Sequence, residues 1–146
     1  MDASVTMATP PRFGEGDASY RAAGGLDGIQ RLVDAFYTQM DNLEAAATIR
    51  AMHDSNLDEA KQRLSYFLSG WLGGPRLYAE HFGSINIPGA HSHLAIGNAE
   101  RDAWLLCMRY AIAAQNYPSE FANYLLAQLT IPADRIHQRC ALAHNN

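Results

Sequence analysis

Between Leu26 and Leu43 the apolar residues Ile29, Leu32, Val33, Phe36, Tyr37 and Met40 recur at steps of three and four. That period places them on one stripe of a helix and predicts an amphipathic element. A shorter, weaker segment follows from Ala45 to Ser55, with Ile49 and Met52 as its apolar anchors. Asp54-Ser55-Asn56 then offers the side chains that start helices. A second long helix is predicted from Leu57 to Leu72, burying Leu57, Ala60, Leu64, Phe67, Leu68 and Trp71, and Gly73-Gly74-Pro75 stops it. A third runs from Ala99 to Gln115 and is apolar on much of its circumference, as a central element would be. A fourth begins at Pro118 or Ser119 and carries Phe121, Tyr124, Leu125 and Leu129. Pro132 is expected to interrupt it, with a restart from Ala133 to about Ala141. Four substantial helices and no convincing sheet predict an all-α protein.

The first 19 residues, rich in Ala, Thr, Pro, Gly and Asp, show no period and read as a mobile tail before a single domain at 20–146. Tyr20 to Ala23 suggests one helical turn, broken by Gly24-Gly25. At 146 residues and 48% hydrophobic, the chain is long enough to bury a core. A net charge of −4 with 11 Lys plus Arg argues against a nucleic-acid or anionic-membrane surface. No run approaches the roughly 18 apolar residues of a membrane span, and the start lacks a signal peptide's basic and apolar regions. The expected location is therefore the cytoplasm. Cys107 and Cys140 belong to no CxxC or CxxCH pattern.

The chemistry gathers in the stretch from Ile87 to Tyr110. A Pro-Gly break leads to His91 and His93, then to the apolar segment Leu94 to Ile96 and a Gly-Asn stop, after which Ala99-Glu100-Arg101-Asp102 opens the helix of Trp104. One helix thus ends where another crosses it. Read alone, His91 is a surface or capping residue, and Tyr37 is a core tyrosine whose hydroxyl finds a backbone partner. Ile85 and Ile87 alternate with polar neighbours, so a strand is also conceivable, on which His91 and His93 would point the same way and chelate a metal. On a helix the two lie about 200° apart, and only one faces a given site.

The joint order of several motifs resembles the group II truncated haemoglobins, from about Gly24 to Gln138. The matching pieces are GGLDGIQRLVDAFY, IRAMH, EAKQRLSYFLSGWLGGPRLY, the His91 segment with Ile96, ERDAWLLCM and IPADRI. His91 stands thirteen residues before Trp104, as the proximal histidine and the G-helix tryptophan do in that family. The resemblance implies a two-over-two helical sandwich, the B and E helices on the G and H helices, enclosing a non-covalent haem b.

Carried over residue by residue, the resemblance makes His91 the proximal iron ligand, since a neutral imidazole leaves the opposite face open. His93 matches no ligand. Tyr37, His53 and Trp104 become the distal, ligand-facing groups. Phe36, Ala60, Leu64, Phe67, Leu68 and Ile96 become the haem-contacting wall. Ala60 stands where conventional oxygen carriers place a distal histidine, so polar control passes to Tyr37, Trp104 and His53. His53 matches a position usually held by Tyr or Phe. It is expected to donate to a bound ligand, to orient Tyr37 or to bind the iron itself, against a bland reading as a half-exposed histidine. Many members carry Arg just before the proximal histidine, whereas this chain has Ala90. Arg63 is the expected substitute partner for a propionate, with Arg76 and Tyr78 as weaker choices and a haem-free surface role nearly as well supported.

The function this implies is tight binding of O2, or of NO, CO or peroxide, for redox chemistry: nitric oxide oxidation or peroxide turnover, with a reductase as partner. No nucleic acid and no membrane are expected as partners. The alternative is an O2 or redox sensor without turnover, in which His53 or Tyr37 exchanges at the iron. A haem-free helical interaction domain is a third class.

Overall fold

In a computed structural model of the protein, residues 13–83 and 96–144 are described, 139–144 by backbone alone. The helices are α1 (Ala18–Ala22), α2 (Gly25–Asn42), α3 (Ala47–Ala51, after a 3-10 turn at Glu44–Ala46), α4 (Asp58–Trp71), α5 (Leu77–Phe82), α6 (Asn98–Ala113) and α7 (Ser119–His144). No strand occurs among the described residues. The choice between strand and helix around His91 falls on 84–95, outside the described residues.

The stripe read from the sequence is the core. Ile29, Leu32, Val33, Phe36, Tyr37 and Met40 of α2 are all buried, facing Leu68 of α4, Cys107, Met108 and Ala111 of α6, and Phe121, Leu125 and Leu129 of α7. Helix α2 packs on both α4 and α6, and α6 packs in turn on α7. This is the two-over-two sandwich. Apolar burial supplies the driving force, at about 25 cal/mol per Å2 removed from water.

Local chemistry sets the ends. The Asn56 side-chain oxygen accepts the Asp58 N–H at 2.9 Å, and Asp58 and Glu59 place negative charge at the positive end of α4. Beyond α4 the chain reverses at Gly73, whose φ of +93° suits glycine and whose missing Cβ would lie 2.0 Å from the Gly16 carbonyl oxygen. Glu100 reaches back to accept the Gly97 N–H at 2.7 Å, opening α6.

Two expectations need correction. Helix α7 does not stop at Pro132 but continues through it. The proline forfeits one backbone hydrogen bond, yet Leu125, Leu129 and Ala133 stay buried on either side of it. Just beyond, Asp134 accepts from Arg101 of α6 at 3.2 Å, so tertiary contacts hold both halves to the same neighbour. Similarly, the segment from Phe13 to Ser19, grouped by composition with the tail, is packed. The Phe13 ring lies 5.2 Å from those of Phe121 and Tyr124, Ser19 accepts the Gly14 N–H at 2.9 Å, and Ala18 and Ser19 are buried. Residues 1–12 of the expected tail lie outside the described residues. Among the described residues no helix is long and apolar enough to cross a membrane.

Candidate functional site

Four rings from three places in the chain form a continuous aromatic row. His53, in the loop after α3, meets Tyr37 of α2 with ring centroids 5.7 Å apart. Tyr37 meets Phe36 at 4.9 Å, and Phe36 meets Trp104 of α6 at 5.2 Å. The helix period explains part of this: neighbours Phe36 and Tyr37 lie about 100° apart around α2. One therefore turns to α6 and the other to the loop.

Tyr37 is 5% exposed, and burial pushes its phenol up to about 12, so it stays protonated and able to donate. No described residue pairs with its hydroxyl, and none pairs with the Trp104 indole N–H. Buried phenols and indoles normally find partners. Among the described residues, two donors without a partner, one buried and one half-buried, thus lie on the rings that contact Phe36.

His53 is half-buried, its Nδ1 lies 2.8 Å from the Ile49 carbonyl oxygen, and its backbone N–H donates to Arg50 at 3.1 Å. Sequence reasoning assigned nothing to Arg50. Its guanidinium binds the Asp41 carboxylate and donates to the carbonyls of Asp54 at 2.9 Å and Ser55 at 3.1 Å. The only sequence signal was an arginine three positions before the histidine of IRAMH.

Helix α4 contributes Ala60, Leu64 and Phe67, all half-buried and packed against the core, while Leu68 is fully buried. Ala60 brings only a methyl group to this helix. Ile96 is half-buried just before α6. Arg63 and Tyr78 form a separate group on the exposed side of α4. Arg63 pairs with Glu59 at 2.9 Å, donates to the Tyr78 hydroxyl at 3.2 Å and stacks 4.2 Å from the Phe82 ring centroid. Arg76 is exposed. His91, His93 and Ala90 lie outside the described residues. Cys107 is fully buried, and desolvation raises its thiol to about 11, which suits a packing residue rather than a nucleophile.

The donor set fits a haem that holds a small polar ligand. Large apolar side chains left half-buried on α4 and α6 suit a flat apolar group, and the unused Tyr37 and Trp104 donors suit a ligand that accepts hydrogen bonds.

Comparison with known proteins agrees with this chemistry. The family model for bacterial-like globins matches residues 18–138. Group 2 truncated hemoglobin YjbI of Bacillus subtilis is 31% identical over 117 residues, covering 80% of this chain and 86% of its own. Among solved structures, the group II 2-on-2 hemoglobin of Agrobacterium tumefaciens is 32% identical with a TM-score of 0.78, covering 89% of this chain and 97% of its own. The cold-adapted truncated hemoglobin of Pseudoalteromonas haloplanktis is 29% identical, also with a TM-score of 0.78, covering 81% and 95%. The two-over-two packing, the aromatic row and these matches together place the chain in the bacterial-like globins, a family that binds small gas ligands through haem, as a group II truncated haemoglobin.

Proposed function

We propose that the protein binds O2, and other small ligands such as NO, CO or peroxide, tightly on a non-covalent haem b and uses them in redox chemistry. Nitric oxide oxidation and peroxide turnover are the reactions that fit best, with a reductase restoring the iron. The observation that carries this reading is the pair of donors without a partner among the described residues, the Tyr37 hydroxyl and the Trp104 N–H, carried on the two rings that contact Phe36. A solved structure of a truncated, oxygen-avid haemoglobin from Bacillus subtilis matches at 30% identity with a TM-score of 0.74, covering 81% of this chain and 97% of its own.

His91 is the residue we assign to hold the iron, with Phe36, Ala60, Leu64, Phe67, Leu68 and Ile96 as the wall and Arg63 with Tyr78 at the propionates. Haem supplies the iron that takes up the ligand and exchanges electrons with it. Tyr37 and Trp104 donate to a ligand that takes on negative charge. Such charge-assisted bonds are worth about 1.5 to 3 kcal/mol each, enough to slow escape by about 10- to 100-fold per bond. Leu64, Phe67 and Leu68 exclude water, and the Ala60 methyl leaves an entry path. Retention favours reaction over delivery.

A second reading, sensing without turnover, draws support from His53 beside Tyr37, either of which would exchange at the iron. Absorption spectra of the haem-loaded protein, ferric and ferrous, separate these readings. Wild type and His53→Ala should both keep a haem band, and His91→Ala should lose the proximal signature. Six-coordinate ferrous haem that becomes five-coordinate in His53→Ala favours the sensor. Chain that stays colourless with added haem sinks both.

A further inference from the structure

We infer that Arg50 is a positioning residue that holds His53 as a hydrogen-bond acceptor; this deepens the haem-pocket reading and rests on it for its effect on ligand. A carbonyl oxygen can only accept, so the 2.8 Å contact between Ile49 O and His53 Nδ1 requires the proton on Nδ1. In neutral imidazole the other nitrogen, Nε2, then carries a lone pair and no proton. Neutral His53 therefore has no second proton to donate. Its Nε2 is left as an acceptor, on a ring 5.7 Å from that of Tyr37 centroid to centroid.

The contacts that hold the loop around His53 converge on one residue, Arg50, through its carbonyl and its guanidinium. The Arg50 carbonyl accepts the His53 N–H at 3.1 Å, and its guanidinium holds the two carbonyls that follow, Asp54 at 2.9 Å and Ser55 at 3.1 Å. Asp41, at the end of α2 and four residues after Tyr37, anchors the same guanidinium. The loop bearing His53 is thereby referenced to the helix bearing Tyr37. A planar fork can serve a carboxylate and two carbonyls at once, which a lysine ammonium on a flexible stem does poorly.

The test compares the full-length ferrous CO-bound protein as wild type, Arg50→Met and Arg50→Lys near pH ~8.5, above the ordinary imidazole range. Long-range proton–nitrogen NMR reads the His53 tautomer, hydrogen exchange reads the hydrogen-bonded amides of Met52 and His53, and the CO stretching band reads the polarity facing the ligand. Wild type should show protonated Nδ1 and one dominant band. Arg50→Met should mix the tautomers, split the band and speed exchange of both amides by about 10-fold, the equivalent of one lost hydrogen bond. Arg50→Lys should not restore them. Should Arg50→Met fail to fold, Asp41→Asn weakens the same anchor and should change all three readouts in the same direction. Protonated Nε2 in wild type, or unchanged tautomer and band in Arg50→Met, overturns the inference. Chain that takes up no haem overturns the haem reading instead, and the tautomer measured on the haem-free chain still decides the role of Arg50.

Discussion

Tyr37 and His53 meet nearly edge to face, their ring planes at 77° and their centroids 5.7 Å apart. One is a buried phenol on the most apolar stripe of α2, and the other is a half-buried imidazole on an irregular loop. This contact joins the buried core to an irregular, partly exposed loop. Polar groups at such a junction respond both to ligand and to solvent.

The burial of Tyr37 makes stability depend on alkaline pH. Its phenol ionises near 10 in the unfolded chain and near 12 when folded. Below pH 10 both states keep the proton and the contribution is constant. As pH rises from about 10 to 12 the unfolded state loses its proton first, so the folded state loses on the order of 2 to 3 kcal/mol. Tyr117, also raised to about 12 by burial, acts with the same sign. Denaturant titrations of wild type and Tyr37→Phe over this range isolate the Tyr37 share: the wild-type curve should fall more steeply. Parallel curves would mean that Tyr37 is solvated.

Two glycines at positive φ should respond very differently to alanine. At Gly73 the new Cβ would lie 2.0 Å from the Gly16 carbonyl oxygen, whereas at Gly83 no atom of the described residues lies within 4 Å. Gly83→Ala should cost only the penalty of a backbone conformation that suits glycine alone (φ +83°, ψ −160°), roughly 1 to 3 kcal/mol. Gly73→Ala adds a backbone clash and should cost about 3 kcal/mol or more. Urea unfolding of the two variants measures the gap, and equal costs would show that the segment around Gly16 yields freely.

How much of this was legible follows from where the information lies. The α2 stripe and the helix start at Asn56 are local, written in residues within a turn or two of each other, and they read directly. Pro132 misled because its local penalty is offset by the contact of Asp134 with Arg101, thirty-three positions apart. Phe13 was assigned to a tail for the same reason: its partners Phe121 and Tyr124 are more than a hundred residues distant. Phe36, Tyr37, His53 and Trp104 were all singled out from the sequence. Their sequential contacts came from the fold, and the Arg50 fork was invisible because both loop carbonyls it binds are backbone atoms, which no residue type announces.

Arg63 offers a test of the haem edge. Its guanidinium is already oriented by Glu59, Tyr78 and the Phe82 ring, so a propionate would meet a preset donor. Arg63→Met keeps the stem and removes the charge. Transfer of haem to an acceptor globin should quicken by about 3- to 10-fold, as for a partly exposed ion pair of roughly 1 kcal/mol. No change in transfer would assign Arg63 to the surface alone.

The sharpest test of the pocket is a double-mutant cycle across Phe36. Tyr37→Phe and Trp104→Phe each remove one donor and keep an aromatic ring against Phe36. Neither donor has a partner among the described residues, so neither variant breaks a hydrogen bond among them. Tyr37→Phe should leave stability near neutral pH unchanged or raise it by about 1 kcal/mol, because a buried hydroxyl without a partner is itself a cost. In the haem-loaded protein each variant should release O2 about 10- to 100-fold faster, the loss of one charge-assisted bond. Two donors bonding the same ligand polarise it jointly, so the double variant should lose an amount different from the sum of the singles. Flash photolysis and stopped-flow release rates close the cycle. Simple additivity would indicate that Tyr37 and Trp104 act on separate ligand positions, and unchanged rates in both single variants would remove the two donors from ligand retention altogether.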